Sequence, residues 1–162
     1  MTKPMISPRE VIEIAFGSTE RIREEMIGEI RLELAQRKFL RPALGRLYDA
    51  VENGAYPELK NNYLKAPLAL YIKYLIMPEL AAQATAQGVV QYKSEHMAPA
   101  PAAGLGAARR RVRSDAQALL ARAIDNIEAN RAEYPEYDPL RDRPVRTSVR
   151  GGIILPRHGK LP

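Results

Sequence analysis

The segment that follows Pro67 limits the fold more than any other. Leu68, Leu70, Tyr71, Ile72, Tyr74, Leu75, Ile76, Met77 and Leu80 fall on every side of a helix instead of along one stripe. A helix that is apolar all round belongs at the centre of a fold. Its longest apolar run, residues 67–77, is interrupted by Lys73 and stops well short of the roughly 20 residues that cross a bilayer. Pro78 is expected to kink it. The remaining sequence must supply the helices that cover it.

Ser7-Pro8-Arg9-Glu10 reads as a helix start, with Ser7 as cap, Pro8 at the first helical position and Glu10 reaching back to the cap. This predicts a short helix over 8–16, closed by Gly17 in a left-handed conformation. Ser18 or Thr19 then caps a longer helix to about residue 39. Ile22, Met26, Ile27, Ile30 and Leu34 share its stripe, while Leu32 and Phe39 lie on roughly the opposite side. A second apolar face is either scatter or a meeting place for another subunit, which makes Leu32 and Phe39 a candidate subunit contact. A third helix over 43–52 carries Leu44, Leu47, Tyr48 and Val51 and is closed by Asn53-Gly54. Pro57 opens a short turn before the central helix.

Residues 88–93 break the helical period and fit a short extended segment, and 97–106 are rich in Ala, Pro and Gly, as a loop is. The last strong helix spans about 105–130, with Leu105, Ala108, Val112, Ala116, Leu119, Ala123 and Ile127 on one stripe. From 132 to 162, eight of 31 residues are Gly or Pro and no period survives. The expected architecture is therefore all-α: a compact bundle of four to five helices over 1–131, with a long extended C-terminal arm over 132–162. Val149, Ile153, Ile154 and Leu155 give that arm a β-prone segment around Gly151-Gly152. The segment either folds back on its own core or docks as a strand on a neighbour's sheet edge.

Of the 162 residues, 25 are Lys or Arg and 19 Asp or Glu, for a net charge of +6. Residues 109–162 hold 12 of those cations against 7 anions, so nearly all the excess lies in the last third. A localised basic excess points to an anionic partner, either nucleic acid or an acidic protein surface. The absence of cysteine removes disulfides, thiolate metal sites and cysteine nucleophiles, and two histidines, His96 and His158, cannot build a histidine cage. No glycine-rich phosphate loop or nucleophile elbow is present. Glu133, Glu136 and Asp138 cluster in a proline-fixed turn, but a calcium site needs more oxygens than that. Neither enzyme chemistry nor a cofactor or metal is expected. The first eight residues lack the apolar run of a signal peptide, so synthesis in the cytoplasm is expected.

Arg109, Arg110, Arg111 and Arg113 form the sharpest local feature. Four cations near a helix N-terminus oppose the macrodipole, so helix stability alone does not select them. They form a solvated helix face, a contact for a partner's carboxylates, or a contact for phosphates. Arg111 is spaced to pair with Asp115.

The order of features has a further bearing. Leu40-Arg41-Pro42-Ala43-Leu44-Gly45 follows a charged helix. Then come Asn62-Tyr63-Leu64-Lys65-Ala66-Pro67-Leu68-Ala69-Leu70-Tyr71, Gly88-Val89-Val90-Gln91-Tyr92, a basic helix, and Tyr134-Pro135-Glu136-Tyr137-Asp138-Pro139. The series resembles the small helical head–tail connector (head-completion adaptor) proteins of tailed phages and prophages. The resemblance implies a structural virion protein at the head–tail neck, without catalysis. It would form a homo-oligomeric ring, commonly twelvefold, beneath the portal protein. One side would meet the portal and the other the next neck or tail-completion protein, leaving a channel for double-stranded DNA and touching no membrane. The alternative is a basic helical DNA-binding module that uses the four arginines.

Overall fold

The computed structural model describes residues 4–17, 22–86 and 102–138, without the side chains of 83–86 and 102–103. Among these residues the chain is all-α, in five helical runs and no strand. The segment 88–93, the arm beyond 138 with its proposed strand, both histidines and the Ser18 or Thr19 cap lie outside the described residues.

The first run, α1 (Pro8–Ala15), starts as its sequence predicts. Glu10 N–H donates to the Ser7 hydroxyl, and Ser7 N–H donates to the Glu10 carboxylate. Its end differs from expectation: Phe16 turns extended at φ −118° and Gly17 is not left-handed. The reason is Lys73 of the central helix. Its ammonium donates to the Ala15 carbonyl at 2.8 Å and lies 4.5 Å from the Phe16 ring, so no left-handed turn is needed to close the helix. Eight residues earlier, Lys65 pairs with Glu10. The two lysines thus hold α1 at both ends.

The long helix expected to reach residue 39 is divided. A 3-10 turn at Glu24–Met26 leads to Gly28, which opens α2 (Glu29–Ala35). A π-turn at Gln36–Leu40 then passes into α3 (Arg41–Leu44). The 3-10 turn and Gly28 reset the helical phase, so the stripe that begins at Ile22 does not carry through to Leu34. Leu32 is only 1% exposed, whereas Ile30 is 82% and Leu34 48% exposed. The expected faces are exchanged: Leu32 is a core residue and not a subunit contact. Phe39 likewise packs within the chain, stacked on Tyr71 with centroids 4.0 Å apart and planes 4° from parallel.

Leu32, Gln36, Leu40 and Leu44 are all buried, at steps of four residues. A regular α-helix drifts about 40° per such step. The wider winding of the π-turn takes up that drift and keeps the four on one side. The central run uses the same device, with α5 (Pro57–Leu59), a π-turn at Lys60–Leu64 and α6 (Lys65–Ala86) in succession. Leu59 and Leu64, five residues apart across that turn, are both buried. Pro57 therefore begins the central helix itself, and α6 continues through Pro78. Between the two runs, α4 (Arg46–Glu52) follows Gly45 at φ 56° and ψ −127°, a backbone that favours glycine, and ends at Gly54 with φ 99°. Leu44, Leu47, Tyr48 and Val51 are buried as their pattern predicts.

The last run, α7 (Ala102–Ala129), lies antiparallel to α6, since Tyr63 meets Arg122 while Tyr74 meets Arg109 and Arg113. Ala116, Leu120, Ala123, Ile124 and Ile127 enter the core, but Ala108 is exposed. Residues 102–106, expected as part of a loop, are helical. After a 3-10 turn at Arg131–Glu133, Tyr134 and Tyr137 are buried. Tyr56, itself in a left-handed backbone, packs its edge on Tyr134 at 5.1 Å and donates to Glu136 at 2.7 Å. These contacts hold the chain against the core as far as Tyr137, past the boundary expected after 131.

Among the described residues Gln36 is the buried polar side chain. Its carbonyl accepts from Met5 N–H at 2.7 Å, its amide donates to the Tyr48 hydroxyl at 3.3 Å, and Tyr48 donates to Glu52 at 3.1 Å. Gln36→Met keeps the volume but strands the Met5 N–H. A loss of about 1–3 kcal/mol is expected in urea unfolding, with a smaller loss for Tyr48→Phe.

Candidate interaction surfaces

Two surfaces project from opposite sides of α6, whose Tyr74 and Ile76 point about 200° apart around the helix. On the Tyr74 side, Phe39 links Tyr71, on which it stacks, to Tyr74, which it meets edge-on at 6.4 Å. Two of the four sequence-predicted arginines close this row. The Arg109 guanidinium lies 4.5 Å from the Tyr74 ring centroid, with its Nε donating to the Tyr74 carbonyl at 3.4 Å, and Arg113 lies 5.9 Å from the same ring. Arg110 and Arg111, on the outer side of α7, are exposed. Among the described residues Arg111 and Asp115 make no ion pair, so the expected bridge does not form. The cluster thus divides into Arg109, packed and hydrogen-bonded on Tyr74, Arg113, exposed at the edge of the same ring, and Arg110 and Arg111, which face outward.

That division is measurable. Arg109→Ala removes a cation–π contact and the packing of the side-chain stem, and a loss of about 0.5–2 kcal/mol is expected. Arg110→Ala and Arg111→Ala are expected to stay within about 0.5 kcal/mol of the parent in the same thermal or urea titration.

On the Ile76 side lies an open groove of about 740 Å³ between the 3-10 turn, α2 and the end of α6. Met26, Ile30, Leu34, Ile76 and Leu80 form its apolar lining, and Glu25, Glu29, Glu79 and Arg31 its polar rim. Arg31 pairs with Glu79, which leaves Glu25 and Glu29 without a cation among the described ion pairs. Sequence periodicity placed Ile30 and Leu34 in the core, so this surface was missed. The local signal that could have found it is Gly28, a helix breaker inside the supposed stripe. Glu133, Glu136 and Asp138 do not come together as a cation site. Among the described residues no three potential ligands do, and Glu136 is occupied by Tyr56.

Several phenols are perturbed. Burial holds Tyr48, Tyr71 and Tyr134 above the usual tyrosine value, and the hydrogen bond to Glu136 does the same for Tyr56. Above the ordinary phenol pKa, the unfolded chain has released protons that the folded chain still holds, so stability falls as pH rises. Urea midpoints are expected to hold to about pH 9 and to fall above about pH 10. Tyrosinate absorbance should rise later in the folded protein than in urea.

Tyr48, Tyr71 and Tyr134 belong to the packed core, and Tyr56 lies partly buried against it. No described helix is long and apolar enough to cross a membrane. Residues 33–144 match a family of unknown function, DUF6712, and the chain belongs to that family. No curated protein and no solved structure matches.

Proposed function

We propose that this DUF6712 member is a structural adaptor, a head–tail connector that assembles as a ring beneath a phage portal. The observation that carries the reading is the opposition of two unlike surfaces across α6. One is an apolar groove rimmed by Glu25 and Glu29, and the other is an α7 face that presents Arg110 and Arg111. A contact between unlike patches is heterologous, and repeated head to tail it closes into a ring when the rotation allows. Opposite charge on the two patches favours that register over face-to-face pairing. Ile30 and Leu34, left outside the core, supply the area that such a contact would remove from water.

The role is one of shape and attachment and involves no catalysis. Assembled in the virion neck after synthesis in the host cytoplasm, the ring would join the portal protein to the next neck or tail-completion protein and leave a channel for duplex DNA. Twelve copies is the number the resemblance implies. The resemblance to head-completion adaptors and the order of the helices support this reading together with the two surfaces.

Its test is to mix the purified chain with the portal ring from the same genome, measure the native mass and image the product. A saturable complex with many copies per portal is expected, and Ile30→Glu with Leu34→Glu should reduce the copies bound while leaving the helical signal of the free chain intact. Absence of any complex would overturn the proposal. Tight duplex binding by the free chain, with a salt slope that drops on Arg110→Ala and Arg111→Ala, would instead establish the DNA-binding module.

A further inference from the structure

Gly28 is a glycine that the chain around it does not require. Its φ of −54° is open to any residue, and a Cβ at this position would meet no atom within 4 Å. It precedes α2 without a side-chain cap, and serine or asparagine would serve there at least as well. What distinguishes the position is its place in the lining of the groove, beside Ile30 and Leu34. A surface glycine of this kind admits the backbone of a neighbour at close range.

The neighbour must be apolar along its centre and basic beside it, because Glu25 and Glu29 stand at the rim without a cation among the described ion pairs. A second groove of the same kind would set these carboxylates against their own copies, which like charge disfavours. The outer side of α7 meets both conditions. Ala107, Ala108, Arg111, Ser114 and Ala118 recur there at helical spacing, all exposed, with Arg110 beside them. Short side chains let a helix axis come close to what it packs on. Arg110 and Arg111 have no carboxylate among the described ion pairs. In its own molecule α7 turns the opposite side, with Ala116, Leu120 and Ala123, to the core. The helix that enters the groove therefore comes from a second copy.

We infer that the outer face of α7 from a second copy lies across the Ile30–Leu34 groove, with its backbone against Gly28 and with Arg110 and Arg111 beside Glu25 and Glu29. The inference rests on the reading of this groove as a subunit interface. Gly28 is then the residue that admits the neighbour: a side chain there holds the incoming helix off, although the chain that bears it folds as before.

The lack of cysteine allows a test with two full-length chains, each carrying a single thiol. A Leu34→Cys chain is mixed with an Ala107→Cys chain at high concentration, oxidised, and compared with a mixture of Leu34→Cys and Ala129→Cys. Ala129 is exposed on the same helix, roughly 33 Å further along. A mixed disulfide several-fold more abundant in the Ala107 mixture is expected. Glu25→Lys with Glu29→Lys in the first chain should lower its yield about two- to fivefold, and Arg110→Glu with Arg111→Glu in the second should restore it. Gly28→Ser in the first chain should also lower the yield, with a urea midpoint no lower than that of the parent. Equal yields from Ala107 and Ala129, no rescue by the paired charge reversals, full yield from Gly28→Ser, or a fall in its urea midpoint would each overturn the inference. Portal association of the cysteine-free parent, measured in parallel, separates the two readings: a portal complex with equal disulfide yields removes this contact and leaves the connector standing.

Discussion

A buried amide must find its partners inside the protein, and Gln36 finds them in the Met5 N–H and the Tyr48 hydroxyl. These bonds connect the segment before α1, the π-turn and α4. They also fix the rotation of the helix that carries Gln36. With Gln36 inward, Leu32, Leu40 and Leu44 join it in the core, and Phe39 is set against Tyr71. From Phe39 the row continues through Tyr74 to Arg109 and Arg113, so the placement of α7 also depends on that rotation. Ile30 and Leu34 are outward for the same reason.

Much of this was legible in the residues. The capping box at Ser7 and Glu10, the central position of the 68–80 helix, the Leu44–Val51 face and the main stripe of the last helix come directly from side-chain type and spacing. The rest depends on winding. Periodicity assumes one rise and one twist per residue, and the chain departs from both at Glu24–Met26, Gln36–Leu40 and Lys60–Leu64. Each departure changes the phase of the next helical turns, which is why Leu32 and Ile30 exchanged places. Tertiary partners explain other differences. Lys73 closes α1 without a left-handed glycine, and Tyr56 draws residues 134–136 onto the core although their Pro-rich sequence reads as an arm.

The arginine cluster illustrates a further limit. The sequence itself separates Arg110 and Arg111 from Arg109 and Arg113 by helical spacing, but does not show the partner that the second pair meets. Helical spacing puts Arg109 and Arg113 on the same side of α7, and only the approach of Tyr74 from α6 turns that side into a packed contact. Arg110 and Arg111, on the outer side, keep their charge for solvent or a partner. The net basic excess of the last third therefore overstates what this helix can offer to an anion.

The π-turn at Gln36–Leu40 has a consequence for how such a chain can change over time. It keeps Leu32, ahead of it, on the same buried side as Gln36, Leu40 and Leu44, so the opposite side of α2 carries none of the interior packing. Ile30 and Leu34 lie on that outer side, and substitutions there leave the Leu32–Leu44 packing as it is. The outer side of this helix can thus change by surface substitution alone, without rebuilding the interior that carries it.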